Sequence, residues 1–125
     1  NSICYPKLNV KVCATHAGLT VGEDGASHQT VEDLSLMRSI PNMTVINPSD
    51  DVETIAAINA VANMQGPCYV RLGRMAVDTV NANADYKFEI GRGIQLLHRA
   101  FLNTWNIPST FCLTANHIDT RTDTN

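Results

Sequence analysis

The feature that most constrains the fold of this chain is an alternation of short apolar segments with helical ones. Residues 10–14, 43–46 and 68–72 are rich in apolar and β-branched side chains and are bounded by turn residues, so they predict strands. A segment with helical spacing lies in each of the two intervals. Connections of this length join parallel strands through a helix that packs on the sheet. The sequence therefore predicts an α/β fold, a parallel sheet flanked by helices.

The two predicted helices are marked by different signals. The first covers residues 30–39, where apolar side chains recur every third position. In the second, Asp50 and Glu53 have the spacing of a capping box, and both carboxylates suit the positive end of the helix dipole. Gly66 ends this second helix. The apolar stripes expected to face the sheet are Val31, Leu34 and Met37 in the first helix and Ile55, Ile58, Val61 and Ala62 in the second.

Polar residues follow the predicted strands at the edge where parallel α/β sheets bind ligands. His16 comes after the first strand, Asp24 and His28 lie in the Gly-rich loop that continues from it, and Arg74 follows the third strand. The four side chains are therefore expected at one rim of the sheet. An imidazole can hold or move a proton near neutral pH, and a guanidinium offers a fork suited to phosphate. The rim is a candidate site for proton handling and anion binding.

Each of these residues also has a structural interpretation. A His at a strand end is more often a surface residue than a catalytic one. Residues 22–25 have a common turn composition and lack the alternating acidic ligands of a calcium loop. Asp50 and Asp51 fit helix capping much better than acid catalysis, and Arg71 and Arg74 also fit solvated charges at the rim. No metal site is predicted.

Composition excludes several classes of function. The net charge is −3, and the nine Lys and Arg residues are scattered, so no nucleic-acid-binding surface is expected. No apolar run approaches the roughly 20 residues that span a bilayer, so no membrane association is expected. The 44% hydrophobic content is typical of a globular protein. The amino-terminal residues carry neither an initiator Met nor a signal-peptide pattern, from which we expect a fragment of a longer protein.

The four cysteines, Cys4, Cys13, Cys68 and Cys112, are too widely spaced for a zinc or disulfide motif. Cys13 and Cys68 lie in apolar segments, where a reduced Cys packs as a small hydrophobe. We therefore expect structural roles in the core and a reducing compartment, which predicts a cytoplasmic location.

A longer pattern connects these observations to a known family. Several short motifs recur with compatible spacing and in an order that resembles the pyrimidine-binding domain of transketolases. The resemblance covers roughly residues 1–94, and it is strongest to the carboxy-terminal section of transketolases that are split into two subunits. The motifs are THAGLTVGEDGASHQ at residues 15–29, EDL at 32–34, RSIPNM at 38–43, NPSD at 47–50 and GPCYVRLGR at 66–74.

The resemblance also implies a domain organisation. Residues 1–80 are expected to form part of a thiamine-diphosphate-binding domain of the pyrimidine type, and residues 81–97 an inter-domain linker region. Residues 88–94 could form a further short strand. Residues 98–125 resemble nothing in the family and end in a Thr- and Asn-rich run, so we expect an atypical, loose tail.

Residue by residue, the resemblance implies four roles. His16 would contact the sugar substrate, and Arg74 would clamp its phosphate. Asp24 would bind a substrate hydroxyl near the reacting carbon. His28 would lie beside the cofactor, where it can hydrogen-bond the donor hydroxyl, so it would contact the cofactor as well as take part in catalysis with Asp24.

The implied reaction is transfer of a two-carbon ketol unit between sugar phosphates. Its cofactor would be thiamine diphosphate with a divalent metal, Mg or Ca, bound mainly by parts of the parent enzyme outside this chain. The residue that activates the cofactor belongs to those parts in this family, so the isolated chain is expected to be inactive. The expected partners are sugar phosphates, the remaining transketolase domains or subunit, and further copies in a homo-oligomer.

Three alternatives remain open from the sequence. A 1-deoxyxylulose-5-phosphate synthase shares the Gly-rich loop but typically lacks the His at position 16 and the pair His28 and Gln29. A 2-oxo acid dehydrogenase β subunit normally lacks the Glu-Asp-Gly run. A non-catalytic assembly module would keep the scaffold without the chemistry.

Overall fold

Three short parallel strands form the central sheet of the computed structural model, which describes residues 1–82, 85–97 and 112–114. They are β1 (Lys11–Ala14), β2 (Thr44–Ile46) and β3 (Cys68–Arg71). Their order in the sheet is β1-β3-β2, and both outer strands pair with β3 in parallel register. The predicted α/β fold with a parallel sheet is confirmed. Among the described strands of this sheet, β3 is the central one, because it pairs with β1 on one side and with β2 on the other.

The first helix, α1, covers Asp33–Arg38 and is shorter than predicted. Its amino-terminal cap is Glu32, whose carboxylate accepts the backbone N–H of Val31 at 3.0 Å. The chain before this point still belongs to the preceding loop. As a result Val31 is exposed rather than packed on the sheet, and the prediction for that residue is wrong.

The second helix, α2 (Asp51–Asn63), has the predicted position but a different buried face. Of the predicted apolar stripe, Val61 is buried, whereas Ile55 is 65% exposed and Ile58 and Ala62 are also exposed. The capping interactions at the start of the helix fix its rotation, and residues four apart then share one face. The buried residues of α2 are Glu53, Ala57 and Val61.

The predicted cap is present, and its residue Asp50 also binds backbone groups outside the helix. One carboxylate oxygen of Asp50 accepts the backbone N–H of Glu53 at 2.8 Å, and the other accepts those of Val80 and Asn81 at 2.8 and 2.7 Å. Glu53 turns back to accept the backbone N–H and the hydroxyl of Ser49 at 2.7 and 2.5 Å. Asp50 therefore joins the start of α2 to the chain that follows β3.

The hydrophobic core lies between α2 and one face of the sheet. It consists of Ile46, Ala57, Val61, Cys68 and Val70.

The region predicted as a linker contributes to this core through Phe88 and Ile90, which pack against it. The strand considered for residues 88–94 begins only at its end, as β4 (Ile94–Leu97), which pairs antiparallel with β5 (Cys112–Thr114). β5 lies within the predicted tail, and the rest of that tail, residues 98–111 and 115–125, is outside the described residues.

The cysteines divide between core and surface. Cys4 and Cys68 are buried and free, and burial raises the pKa of the Cys68 thiol to about 11, so it stays protonated. Cys13 is free but exposed, which contradicts its predicted core role. It lies on β1, an edge strand with one neighbour. Within the described ranges, no helix is both long enough and apolar enough to cross a bilayer.

We predict that Asp50→Ala lowers the free energy of unfolding by about 2–4 kcal/mol, because it removes the cap and leaves the backbone N–H groups of Val80 and Asn81 without their acceptor. Urea denaturation measures the loss. Asp51→Ala is the matched control, since its exposed carboxylate accepts the Thr79 hydroxyl and no other donor among the described residues, and it should cost less than about 1 kcal/mol. Similar losses for both variants would contradict the role of Asp50.

Candidate functional site

The Gly-rich loop leaves β1 and returns to the same point beside β3. The backbone N–H of Ala17 donates to the Leu72 carbonyl at 3.2 Å, and that of Gly18 donates to the Thr30 carbonyl at 2.9 Å. Between these anchors Val21 is buried under the loop, on a 3-10 helix that covers Leu19–Asp24. The loop is thus closed at its base at the carboxyl ends of the strands, where the site was predicted.

A buried carboxylate holds the base of this loop. Asp33 accepts the hydroxyl of Tyr69 at 2.7 Å and Nε of Arg71 at 2.8 Å on the same oxygen. The remaining guanidinium nitrogens donate to the Thr30 carbonyl at 3.3 Å and reach the side-chain oxygen of Asn47 at 3.5 Å. One side chain, Arg71, therefore ties β3 to α1, to the end of the loop and to the turn after β2.

The sequence shows why this network forms on β3. Side chains alternate between the faces of a strand, so Cys68 and Val70 enter the hydrophobic core while Tyr69 and Arg71 point to the other face. There they meet Asp33 at the start of α1. Arg71 is only 17% exposed in its side chain, so its interpretation as a solvated rim charge is wrong. A Tyr and an Arg two residues apart in a central strand were the signal for this network.

The protonation states within the network are set by its contacts. Burial alone would raise the pKa of Asp33, but the hydrogen bonds from Tyr69 and Arg71 and the charge of Arg71 outweigh it and hold that pKa below its usual 3.8. Burial, followed by the hydrogen bond to Asp33 and its charge, raises the pKa of Tyr69 to about 12. At neutral pH the carboxylate is therefore ionised and the phenol remains its donor.

The predicted pair of Asp24 and Arg74 meets at the outer side of the loop. Nη1 of Arg74 lies 3.8 Å from a carboxylate oxygen of Asp24 and also donates to the backbone carbonyl of Val21. Its Nη2 is 2.6 Å from Oε1 of Glu23, a residue that was not among the candidates. The backbone kink at Gly22, with φ of 65°, lies between Val21 and these two acids.

The two predicted histidines are exposed and separate from this pair in their hydrogen bonding. Nδ1 of His16 lies 3.0 Å from the Thr15 hydroxyl, and Nδ1 of His28 lies 3.0 Å from that of Ser27. Among the residues that the structure describes, these neighbouring hydroxyls are the side-chain partners of both imidazoles. His16 also adopts a positive φ of 65°, an uncommon conformation for a residue with a side chain, directly after the strand. Within the described ranges, Nε2 of neither ring has a hydrogen-bond partner.

A cleft of about 960 Å³ opens at the same edge of the sheet. Its lining does not include any of the four predicted site residues. Part of the loop lines it through Leu19 and Thr20, and the segment after β3 lines it through Met75 and Val77. The polar side chains of its lining are Thr15, Thr20, Asn47, Ser49, Asp50, Asp51, Thr54, Arg71 and Thr79.

Electrostatically, the rim combines acids and bases without forming a metal centre. In the part of the chain that the structure describes, no group of three or more His, Cys, Asp or Glu side chains is arranged to hold a metal ion. The arrangement can instead bind an anion at Arg74 and offer imidazole nitrogens to a hydroxylated ligand.

The parallel sheet, with polar loops at its carboxyl edge, defines an α/β domain with a candidate ligand site at that edge. Comparison with known proteins gives the family. The chain belongs to the transketolase pyrimidine-binding domain family, whose sequence profile matches residues 2–79.

Three relatives illustrate the relationship. A Methanocaldococcus jannaschii protein described as a transketolase C-terminal section is 53% identical over 94 residues, which are 74% of this chain and 30% of that protein. The structure of a split-gene transketolase, an inactive β4 tetramer, matches with a TM-score of 0.66 and 54% identity over 77% of this chain and 29% of that one. The structure of the Pichia stipitis transketolase in complex with sedoheptulose-7-phosphate matches with a TM-score of 0.65 and 27% identity. This match covers 75% of this chain and 14% of that one. The chain thus spans under a third of the length of these relatives.

We predict that Gly18→Ala destabilises the chain more than Gly66→Ala. Both glycines have positive φ, 85° and 101°, so each substitution introduces backbone strain of about 1–2 kcal/mol. A Cβ at position 18 would also lie 3.1 Å from Nη2 of Arg71, whereas position 66 has open space. Urea denaturation should show about 1 kcal/mol more loss for Gly18→Ala. Equal losses would mean that Arg71 does not hold the loop closely.

The Asp33 network also predicts a dependence of stability on acid. The pKa of Asp33 is lower in the folded state than its usual 3.8, so ionised Asp33 stabilises the folded state. This contribution to the free energy of unfolding is complete above pH 3.8 and is lost as the pH falls through the folded-state pKa. Unfolding free energies measured between pH 7 and pH 2 should fall less steeply in Asp33→Asn than in the wild type. Asp78→Asn, at an exposed position, should follow the wild-type curve.

Proposed function

We propose that this chain forms the sugar-facing wall of a transketolase-type active site, which moves a two-carbon ketol unit between sugar phosphates. The observation that carries the proposal is the meeting of Asp24 and Arg74 on one loop edge in a member of the pyrimidine-binding domain family. A guanidinium offers a fork for phosphate oxygens, and a carboxylate beside it can accept a hydrogen bond from a sugar hydroxyl. The Pichia stipitis relative, in complex with a sugar phosphate, supports this substrate class.

Each candidate residue has a distinct task in this proposal. Arg74 binds the phosphate through its guanidinium fork, and His16 contacts the sugar beside it. Asp24 accepts a hydrogen bond from a hydroxyl near the reacting carbon. His28 exchanges a proton with the donor hydroxyl through Nε2, since its Nδ1 is engaged by Ser27. Together they orient the sugar and handle protons, and orientation alone can contribute several kcal/mol to such a reaction.

The proposed cofactor is thiamine diphosphate, which supplies a carbanion centre for breaking and forming carbon–carbon bonds. The exposed imidazole of His28 could contact it, as the family resemblance implies. The diphosphate and its divalent metal, Mg or Ca, would be held mainly by other parts of the parent enzyme. We accordingly propose that the chain is inactive by itself. The parent enzyme is proposed to be cytoplasmic, to combine this chain with the remaining transketolase domains or subunit, and to form a homo-oligomer.

A second candidate, a non-catalytic assembly module, is favoured by one observation. The structurally similar split-gene transketolase is described as an inactive β4 tetramer. A chain that only assembles would keep the fold and the loop without turnover. Absence of ketol transfer after addition of the complementary transketolase part, thiamine diphosphate and Mg²⁺ would favour this candidate over the first.

We predict that Arg74→Ala, in the complete parent enzyme, raises KM for phosphorylated sugars about tenfold or more, because a charge-assisted bidentate contact is lost. Steady-state kinetics with a phosphorylated and an unphosphorylated aldose acceptor measure the effect, and KM for the unphosphorylated acceptor should not change. Arg38→Ala removes the same charge at an exposed site at the end of α1 and serves as the control. An unchanged KM for the phosphorylated acceptor in Arg74→Ala would remove Arg74 from the phosphate site.

A further inference from the structure

Arg74 already carries an anionic partner in this structure. Oε1 of Glu23 lies 2.6 Å from Nη2 of Arg74, closer than Asp24 at 3.8 Å, and Nη1 is engaged by the backbone carbonyl of Val21. A carboxylate oxygen at this distance makes a charge-assisted hydrogen bond of the kind that a phosphate oxygen would make. Glu23 and an incoming phosphate would therefore compete for the same nitrogen.

We propose that Glu23 is an internal substitute for the substrate phosphate, which holds Arg74 in position before a phosphorylated sugar binds and leaves it when the sugar arrives. The inference rests on the proposed function, because it assumes that Arg74 binds the phosphate. It makes Glu23 a residue that sets the specificity for phosphorylated over unphosphorylated substrates.

The exposures of the two side chains favour such an exchange. Glu23 is 78% exposed in its side chain and can move into water with little loss of solvation, whereas Arg74 is 31% exposed. Arg74 keeps its bond to the Val21 carbonyl, beneath which the Val21 side chain is buried. The guanidinium thus stays in position while the carboxylate departs. Ion pairs as exposed as this one are weak, so displacement lowers phosphate affinity only modestly.

The adjacency of Glu23 and Asp24 in the loop affects which acid remains near Arg74 when the phosphate binds. Glu23 precedes Asp24, and both belong to the last turn of the 3-10 helix that follows the kink at Gly22. When Glu23 releases Arg74, the phosphate takes its place beside the guanidinium. Asp24 is then left as the acid near the guanidinium, on the side proposed for the substrate hydroxyl.

The test compares Glu23→Gln with the wild type in the complete parent enzyme. Removing the charge should lower KM for a phosphorylated aldose acceptor about two- to fivefold, which is the range expected for an exposed ion pair. The inhibition constant of inorganic phosphate should fall by a similar factor. KM for an unphosphorylated aldose should stay the same, because that substrate does not displace Glu23.

Glu89→Gln is the matched control. It changes the net charge equally and disrupts another exposed Glu–Arg pair, with Arg92 at 3.5 Å. This variant should leave both KM values and the phosphate inhibition constant unchanged. An equal decrease in Glu89→Gln and Glu23→Gln would assign the effect to net charge and overturn the proposal.

The outcomes separate this inference from the proposed function. If Arg74→Ala raises KM for the phosphorylated acceptor but Glu23→Gln leaves it unchanged or raises it, Arg74 binds phosphate and the competition is wrong. If Arg74→Ala has no effect on that KM, the proposed phosphate site itself fails, and the inference with it. A purely structural role for Glu23 would alter the KM values of both acceptors together, which would also overturn the proposal.

Discussion

The ion pair between Asp33 and Arg71 is the interaction on which the candidate site depends. Placing a carboxylate and a guanidinium in a partly buried position costs desolvation free energy, and only good geometry with further hydrogen bonds offsets it. Here the same carboxylate oxygen also accepts the Tyr69 hydroxyl, and the guanidinium extends to the Thr30 carbonyl. Because Arg71 stands on the central strand, these contacts fix both α1 and the returning end of the Gly-rich loop relative to the sheet.

A second buried carboxylate performs a similar task on the neighbouring side of the sheet edge. Asp50 caps α2 and accepts two backbone N–H groups from the chain after β3, so burial, which would raise its pKa, is outweighed by hydrogen bonds that lower it. In both places one ionised side chain satisfies donors from two or three segments. The domain has a small hydrophobic core of side chains from β2, α2 and β3, and these carboxylates hold together the loops that the core does not reach.

The rim residues contrast with this buried framework. Arg74, Glu23 and Asp24 are connected by exposed or half-exposed contacts, which are weak and exchange readily with solvent or an anion. Rigid anchors at the loop base and exchangeable pairs at its outer side suit a binding wall that must be in position before a ligand arrives. Family membership is consistent with this arrangement, since the matched region is one part of a longer protein in the relatives that the chain resembles.

Local patterns in the sequence were sufficient to predict the order of strands and helices, the Asp50 cap and the position of the loop at the carboxyl edge. Each of these features depends on neighbouring residues or on the handedness of parallel connections. Periodicity did not reveal that Ile55 and Ile58 are exposed, since the rotation of α2 depends on its cap residue Asp50, which is held by the distant residues Val80 and Asn81. The family motif identified Asp24 and Arg74. It did not reveal the pairing of Arg74 with Glu23 or the contacts of Asp33 with Tyr69 and Arg71, because these contacts join residues 36 to 51 positions apart. The sequence by itself determined the elements and the family. Only the tertiary structure decided which charges meet, because that pairing depends on how the loop and α1 close over β3.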